Sequence, residues 1–380
     1  MLSWNTSPAW PNIPEDLARD LRRYDAVTVG QAVDQAALTA LAEFARGIEA
    51  YRRHPYRRAD EKAKAVWSRG EAMLLDHGPA DETSHGGALP PVVFAPSLIN
   101  RGLILDLVPG CGMLSWLALQ GLHPFRMEWG RPGEEERHFN VGDYVQRRLE
   151  PALEEVIRRT GQAPVLVGYC MGGLLALAAA VRRPELVRAL VLMAAPWDFH
   201  ADGATRGTLV AGVYRATRPT LGMLGEVPID FLQAWFAVHD PIVALRKFRR
   251  FAALDPASPE AISFVALEDW LNDGVPLSLP VADEALLGWY GDNVPSRGEW
   301  RVDGVVIDPG KVIQSTLVVV PGADRIVMPA SAAAVLSVLR RGDRLDLELG
   351  HIGMVVGRRA EQSLWRPLTD WIRGAAKAGG

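Results

Sequence analysis

Cysteine is nearly missing from this sequence: Cys111 and Cys170 are the only two in 380 residues. A disulfide framework is therefore excluded as the source of stability, and the expected setting is a reducing cytoplasm that keeps a thiol available. Long apolar runs are also missing. The longest, Leu174 to Val181, is far too short to span a bilayer. The start, Met1-Leu-Ser-Trp-Asn-Thr-Ser, has neither the basic leader nor the apolar core of a secretory signal. A formal net charge of -4 gives no global attraction to nucleic acid. The histidines show no His-x-x-x-His or His-Glu-x-x-His spacing, and the two cysteines are no zinc pair, so no metal is expected. No Gly-rich dinucleotide fingerprint follows the first core strand, so no cofactor is expected either. Internal repeats and low-complexity tracts are absent.

What is present has the profile of a folded chain, with 48% apolar and 23% charged residues. Residues 1–88 read as a helical N-terminal extension, punctuated by Pro8, Pro11 and Pro14. Its apolar spacing through Ala32, Leu38, Leu41 and Phe44 suits an amphipathic helix. The polar segment Gly78 to Gly87 reads as a linker or exposed turn.

From residue 89 to 380 the pattern is that of an α/β domain. Short β-branched runs occur at Val92–Ala95, Phe125–Trp129, Val165–Gly168, Leu190–Ala194 and Leu317–Val320, with an alternating one at Leu345–Leu349. Helical patterns lie between many of them, at Asp143–Arg159, Gly173–Arg182 and Ala330–Arg340. Buried strands alternating with helices predict a mostly parallel, doubly wound sheet. Residues 199–308 interrupt the alternation with helical, Trp-rich and Pro-rich sequence, and are expected to form a cap inserted between the sixth and seventh strands. Some of the 12 tryptophans should line an apolar binding region, the rest being core.

The sharpest motif is Gly168-Tyr-Cys-Met-Gly172-Gly173, after an apolar strand and at the start of a small-residue helix. That is the context of a nucleophile elbow. The nucleophile must occupy a strained turn, and side chains at positions 168 and 172 would collide with the adjacent strand and helix. The helix N-terminus behind Cys170 favours a thiolate and aims N–H groups at developing negative charge. A Cys in such a turn can also simply pack.

A thiolate needs a base, and the base an orienting carboxylate, arriving after an elbow in the order acid, then histidine. Asp324 follows the Leu317–Val320 run and His351 follows the Leu345–Leu349 run. Both therefore fall at strand C-terminal ends, where a doubly wound sheet gathers its site. Turn formation by Asp324 and helix capping by His351 are the competing readings. Among the other histidines, His54, His77, His85 and His138 are expected to be solvated. His123 precedes a strand, His239 lies in the cap, and His200 is the one rival. An oxyanion hole would take the N–H of Met171 and a second from the loop Pro96-Ser-Leu-Ile-Asn-Arg, with Ile99 first and Leu98 next.

Taken together, several of these stretches resemble polyhydroxyalkanoate synthases, members of the α/β-hydrolase superfamily. They are Pro-Ser-Leu-Ile-Asn-Arg-Gly-Leu-Ile-Leu-Asp106, Glu-Trp-Gly-Arg-Pro132, the Cys170 elbow, Trp270-Leu-Asn-Asp, Ala-Asp324-Arg-Ile-Val and Gly-His351-Ile. The likeness runs over residues 90–360, in the same order and at comparable spacing. Leu277 to Ile313, with Trp289, Asn293 and Pro309-Gly-Lys, resembles the family's approach to its catalytic Asp.

The resemblance implies an α/β-hydrolase fold, Cys170 as acyl acceptor, His351 as base, Asp324 as third member and hydroxyacyl-CoA as donor. It also implies a polyester chain as product, association with polyester granules, and, from the short type's length, a second subunit or a homodimer. Asp106 and Trp270 stand in family-like motifs with no chemical step assigned. The chain departs from the family in carrying Arg325 where His usually follows the catalytic Asp. The region before residue 90 does not map onto the family's characterised members. There, Tyr51-Arg-Arg-His-Pro-Tyr-Arg-Arg could hold CoA phosphates or be a solvated face.

Cysteine bears on the outcome. Acyl transfer from CoA to Cys170 exchanges one thioester for another, so the acyl enzyme stays close in free energy to its donor. A serine ester would lie lower and trap the group. This favours transfer and chain growth over hydrolysis. Two alternatives remain: a thioesterase or oligomer hydrolase with the same triad, and a non-catalytic relative that binds granules or a partner.

Overall fold

The computed structural model describes residues 15–58, 63–79, 89–108, 110–238 and 242–377. Pro8, Pro11, Pro14, His85, His239 and residues 80–87 of the expected linker lie outside the described residues.

Eight strands form one sheet: β1 (Lys64–Arg69), β2 (Ala72–Asp76), β3 (Pro91–Ala95), β4 (His123–Glu128), β5 (Val165–Tyr169), β6 (Ala189–Met193), β7 (Thr316–Pro321) and β8 (Gly342–Leu347). Their order is β1-β2-β4-β3-β5-β6-β7-β8. The strands from β4 to β8 in that order pair in parallel, and β2 runs antiparallel to both β1 and β4. The expected mostly parallel, doubly wound sheet is borne out. Strands β3 to β7 are buried at every residue because helices cover both faces. The edge strand β8 keeps Asp343, Arg344 and Asp346 in solvent, charges that discourage edge-to-edge pairing.

Two expectations need correction. Residues 64–76 are not helical; they are the hairpin β1–β2, which joins the main sheet beside β4. Its turn is Gly70-Glu71, with Gly70 at φ +56°, and both flanking runs are too short and mixed to show a clean alternation. The last strand starts three residues earlier than the Leu345–Leu349 run, because register against β7 pairs Gly342 with Thr316.

Between β6 and β7 come the helices Thr205–Leu224, Ile229–Val238, Val243–Phe251 and Pro259–Asn272, then the helical stretch Leu279–Gly291. Two short ribbons pair Glu226–Val227 with Leu277–Ser278 and Arg301–Val302 with Val305–Val306. The chain divides into two compact units, residues 1–56 with 240–265, and residues 57–239 with 266–380. In the first, the helix Ala26–Arg53 packs on Val243–Phe251 through the rings of Phe44, Tyr51 and Phe248, and Glu43 pairs with Arg249. The boundary drawn at residue 88 and the single cap over 199–308 thus differ from this division, in which residues 240–265 go with the N-terminal helix. The second unit holds the sheet and the site. Among the described residues no helix is long and apolar enough to cross a membrane.

Candidate active site

Strand β5 ends at Tyr169 and the helix Met171–Arg182 begins at Met171, leaving Cys170 alone in the turn. Its backbone sits at φ 58°, ψ -129°, a conformation that costs a side-chain-bearing residue about 1–3 kcal/mol. Its N–H donates to the Met193 carbonyl of β6 at 2.9 Å, and its carbonyl accepts from Gly173 at 2.9 Å, so the strained turn is held from both sides. The flanking glycines are required sterically. A Cβ on Gly168 would lie 2.5 Å from the Gly172 carbonyl oxygen, and one on Gly172 would lie 2.0 Å from that of Ala95.

Strand β7 delivers Asp324 to the same sheet edge, in a tight loop. Its Oδ1 accepts the N–H groups of Ile326 and Val327 at 2.8 and 3.0 Å, and its Oδ2 accepts from His351 Nδ1 at 2.6 Å. Both side chains are buried, Asp324 at 3% exposure and His351 at 8%. With Nδ1 held by the carboxylate, Nε2 is left for Cys170. Burial is the largest single influence and opposes a charged imidazole here, and no one attraction, that of Cys170 included, outweighs it alone. Attraction to the Cys170 thiolate and hydrogen bonds to Asp324 and Cys170 together raise His351 to about 10. The three candidate residues, far apart in sequence, are brought together. Arg325, beside them in sequence, is exposed.

Cys170 lines an apolar cavity of about 810 Å³, a figure that includes open solvent at its mouth. The insertion supplies most of its wall, including Phe199, Val210, Phe231, Leu277, Leu286 and Trp289, while the loop after β3 contributes Ile99. Of the described tryptophans, Trp289 alone lines it; Trp129, Trp197, Trp270, Trp300 and Trp365 are packed in the interior. Such a lining suits an apolar acyl chain. Cys170 and Met171 both line this cavity, and the first N–H groups of a helix have no intrahelical acceptor. Ile99 also faces it, but its N–H donates to Ser97 Oγ at 3.2 Å and is engaged in this conformation.

Two contacts were not anticipated. Tyr169 stacks on the His351 ring at 5.0 Å between centroids and donates from its hydroxyl to the His351 carbonyl at 3.1 Å. Burial first, then the charges of Cys170 and Asp324, hold its phenol well above the usual range, so it stays a donor. Arg206, from the insertion, donates to the Ile326 carbonyl at 3.2 Å and so braces the Asp324 loop. Tyr169 stood inside the elbow motif, whereas Arg206 had no sequence signal.

The remaining candidates separate from the site. His200 is held by the Tyr290 carbonyl at 2.9 Å and does not line the cavity. His138 is exposed, as expected. His54 and His77 are not solvated: His54 bonds the Pro256 carbonyl at 2.8 Å, and the His77 side chain is only 5% exposed beside Asp106. Asp106 accepts from Ser115 N and Oγ at 3.2 and 2.8 Å, a structural role. Asn293 ties Asp198 to the Phe199 N–H at the start of the insertion. Among the described residues no cluster of three or more potential metal ligands occurs.

A family model described as the alpha/beta hydrolase fold matches residues 114–221, which include the elbow. Together with the strand order, it gives the chain the α/β-hydrolase fold. The poly(3-hydroxyalkanoate) polymerase subunit PhaC of Haloferax mediterranei is 29% identical over 83% of this chain and 64% of its own length. The PhaC of Haloarcula marismortui is 28% identical over 74% of this chain and 60% of its own length. That of Synechocystis sp. is 25% identical over 81% of this chain and 83% of its own. The chain thus spans less than two thirds of the first two relatives. The resemblance to polyhydroxyalkanoate synthases is borne out along most of the sequence.

Proposed function

We propose, for a chain with the α/β-hydrolase fold and PhaC relatives, that it is an acyltransferase of the polyhydroxyalkanoate synthase type carrying its acyl group on Cys170. The observation that carries this reading is the line Asp324–His351–Cys170 opening onto an apolar cavity. His351 takes the Cys170 proton, and the thiolate attacks the carbonyl carbon of a hydroxyacyl-CoA. The Met171 N–H, with a second donor from the loop after β3, stabilises the oxyanion. The bond to the CoA sulfur breaks, and the imidazolium returns its proton to that sulfur. His351 then accepts the proton of a second unit's 3-hydroxyl as it attacks the acyl-cysteine, joining the units and regenerating the thiol. Asp324 holds the tautomer and supports the imidazolium. No cofactor or metal takes part.

The greasy cavity favours an alcohol acceptor over water, because apolar walls hold few waters. A second synthase subunit or homodimer, and association with polyester granules in the cytoplasm, go with the same proposal. Incubation with 3-hydroxybutyryl-CoA should give CoA, polymer and an acyl mass adduct that Cys170→Ala abolishes. CoA with only free hydroxyacid would make the chain a thioesterase. Neither adduct nor CoA release would leave the non-catalytic, binding reading.

A further inference from the structure

The loop Pro96–Arg101, which stands beside the elbow, is held almost entirely by its carbonyls. Trp129 Nε1 donates to the Pro96 carbonyl at 3.0 Å. The Val275 N–H donates to the Ile99 carbonyl at 2.9 Å. Trp270 Nε1 donates to the Arg101 carbonyl at 2.7 Å. Two of the three donors come from the insertion, within a six-residue span. Asp273, between them, pairs with Arg101 Nε at 3.0 Å and also with Arg58 at 3.0 Å. A trans peptide's C=O and N–H point in opposite directions, so fixing the carbonyls of residues 99 and 101 fixes the N–H groups of residues 100 and 102 as well. The loop's backbone is thereby set by the Trp270 side chain and the Val275 N–H, about 170 positions later in the sequence.

Strand β3 alone could not do this. Past Ala95 the loop leaves the sheet, and the one side-chain bond it makes to its own backbone is Ser97 Oγ with the Ile99 N–H. The elbow presses on the loop from the other side, since Gly172 has room only for hydrogen against the Ala95 and Pro96 carbonyls. The loop is therefore clamped between the nucleophile helix and the segment Trp270–Val275.

We propose that Trp270 and Asp273 are positioning residues. By pinning Arg101 they hold the loop that carries Leu98 and Ile99 beside the elbow, so that the insertion orders the backbone from which the second oxyanion donor would come. This inference rests on the acyl-transfer reading. It assigns the Trp270-Leu-Asn-Asp motif a task that requires no contact with substrate.

The test compares two reactions of the same thiol. Alkylation of Cys170 by iodoacetamide displaces iodide at a saturated carbon and forms no oxyanion. Acylation by 3-hydroxybutyryl-CoA forms one. Trp270→Phe keeps the ring and removes the N–H; Asp273→Asn keeps the shape of a half-exposed side chain and removes the charge, guarding against a folding defect in the first variant. Both should lower the single-turnover acylation rate by roughly 10- to 100-fold, the scale of an ångström-sized misplacement. KM and the alkylation rate should stay within twofold of wild type. Acylation unchanged within twofold, or acylation and alkylation falling together, would overturn the proposal while leaving Cys170 as acyl carrier. A wild-type protein that alkylates but never acylates would overturn both readings.

Discussion

Replacing Asp324 by Asn tests the site at its most constrained point. The Asp324 carboxylate accepts three hydrogen bonds, two from backbone N–H groups at Oδ1 and one from His351 at Oδ2. An amide fits the same space, but only its oxygen can serve the two N–H groups. Its NH2 must then face His351 Nδ1 as a donor. The imidazole is forced to carry its proton on Nε2, where it can no longer accept one from Cys170. A hydrogen bond to a charged group contributes about 1.5–3 kcal/mol, and tenfold in rate is about 1.4 kcal/mol, so losing the carboxylate alone slows acylation roughly 10- to 150-fold. Reversing the tautomer in a comparable triad extends the loss toward ~10⁴. We therefore expect acylation by 3-hydroxybutyryl-CoA, followed by intact mass in a single turnover at pH 7.5, to fall between about 10² and 10⁴. Iodoacetamide alkylation should slow as well, because the imidazolium that supports the thiolate is weakened. Rates within threefold of wild type, with the fold intact by circular dichroism, would refute the tautomer argument.

Three further outcomes follow from the same geometry. In Cys170→Ala the largest influence raising His351 is gone, so its titration by NMR should fall well below the wild-type midpoint near 10. Because that midpoint lies above the ordinary 6.5, the stability due to this pairing is full below pH 6.5 and lost as pH rises through about 10. His77 behaves oppositely. Burial first, then the Arg126 charge, lowers it to about 3, so the folded state excludes a proton that the unfolded chain binds. Denaturant titrations should show its contribution intact above pH 6.5 and lost as pH falls toward 3, about 2 kcal/mol gone by pH 5, a slope that His77→Gln removes. Gly172→Ala drives a methyl to 2.0 Å from the Ala95 oxygen. Overpacking of that kind destabilises by about 1–3 kcal/mol, and a melting temperature within one degree of wild type would contradict it.

The central strands and the candidate site residues were legible because their signals are local. A β-branched run buried on both faces reads the same in sequence as in the sheet. An elbow must carry Gly168 and Gly172 whatever surrounds it. Asp324 and His351 could be found because chain order and strand ends constrain where such residues fall. The hairpin β1–β2 was missed because an edge strand such as Lys-Ala-Val-Trp-Ser-Arg is half solvated and shows no clear period; its partner β4 lies some 50 residues on. His77 looked solvated among polar neighbours, but β4 brings Arg126 against it.

By itself, then, the sequence determined the doubly wound sheet and singled out Cys170, Asp324 and His351 as candidates, since each rests on short-range sterics, a fixed motif or a strand end. Only the tertiary structure decided that Asp324 and His351 meet at 2.6 Å, that residues 240–265 go with the N-terminal helix, and that Trp270 holds the loop beside the elbow. Those are contacts between residues distant in the chain. Hydrophobic burial drives them and hydrogen bonds specify them, and neither leaves a local pattern to read.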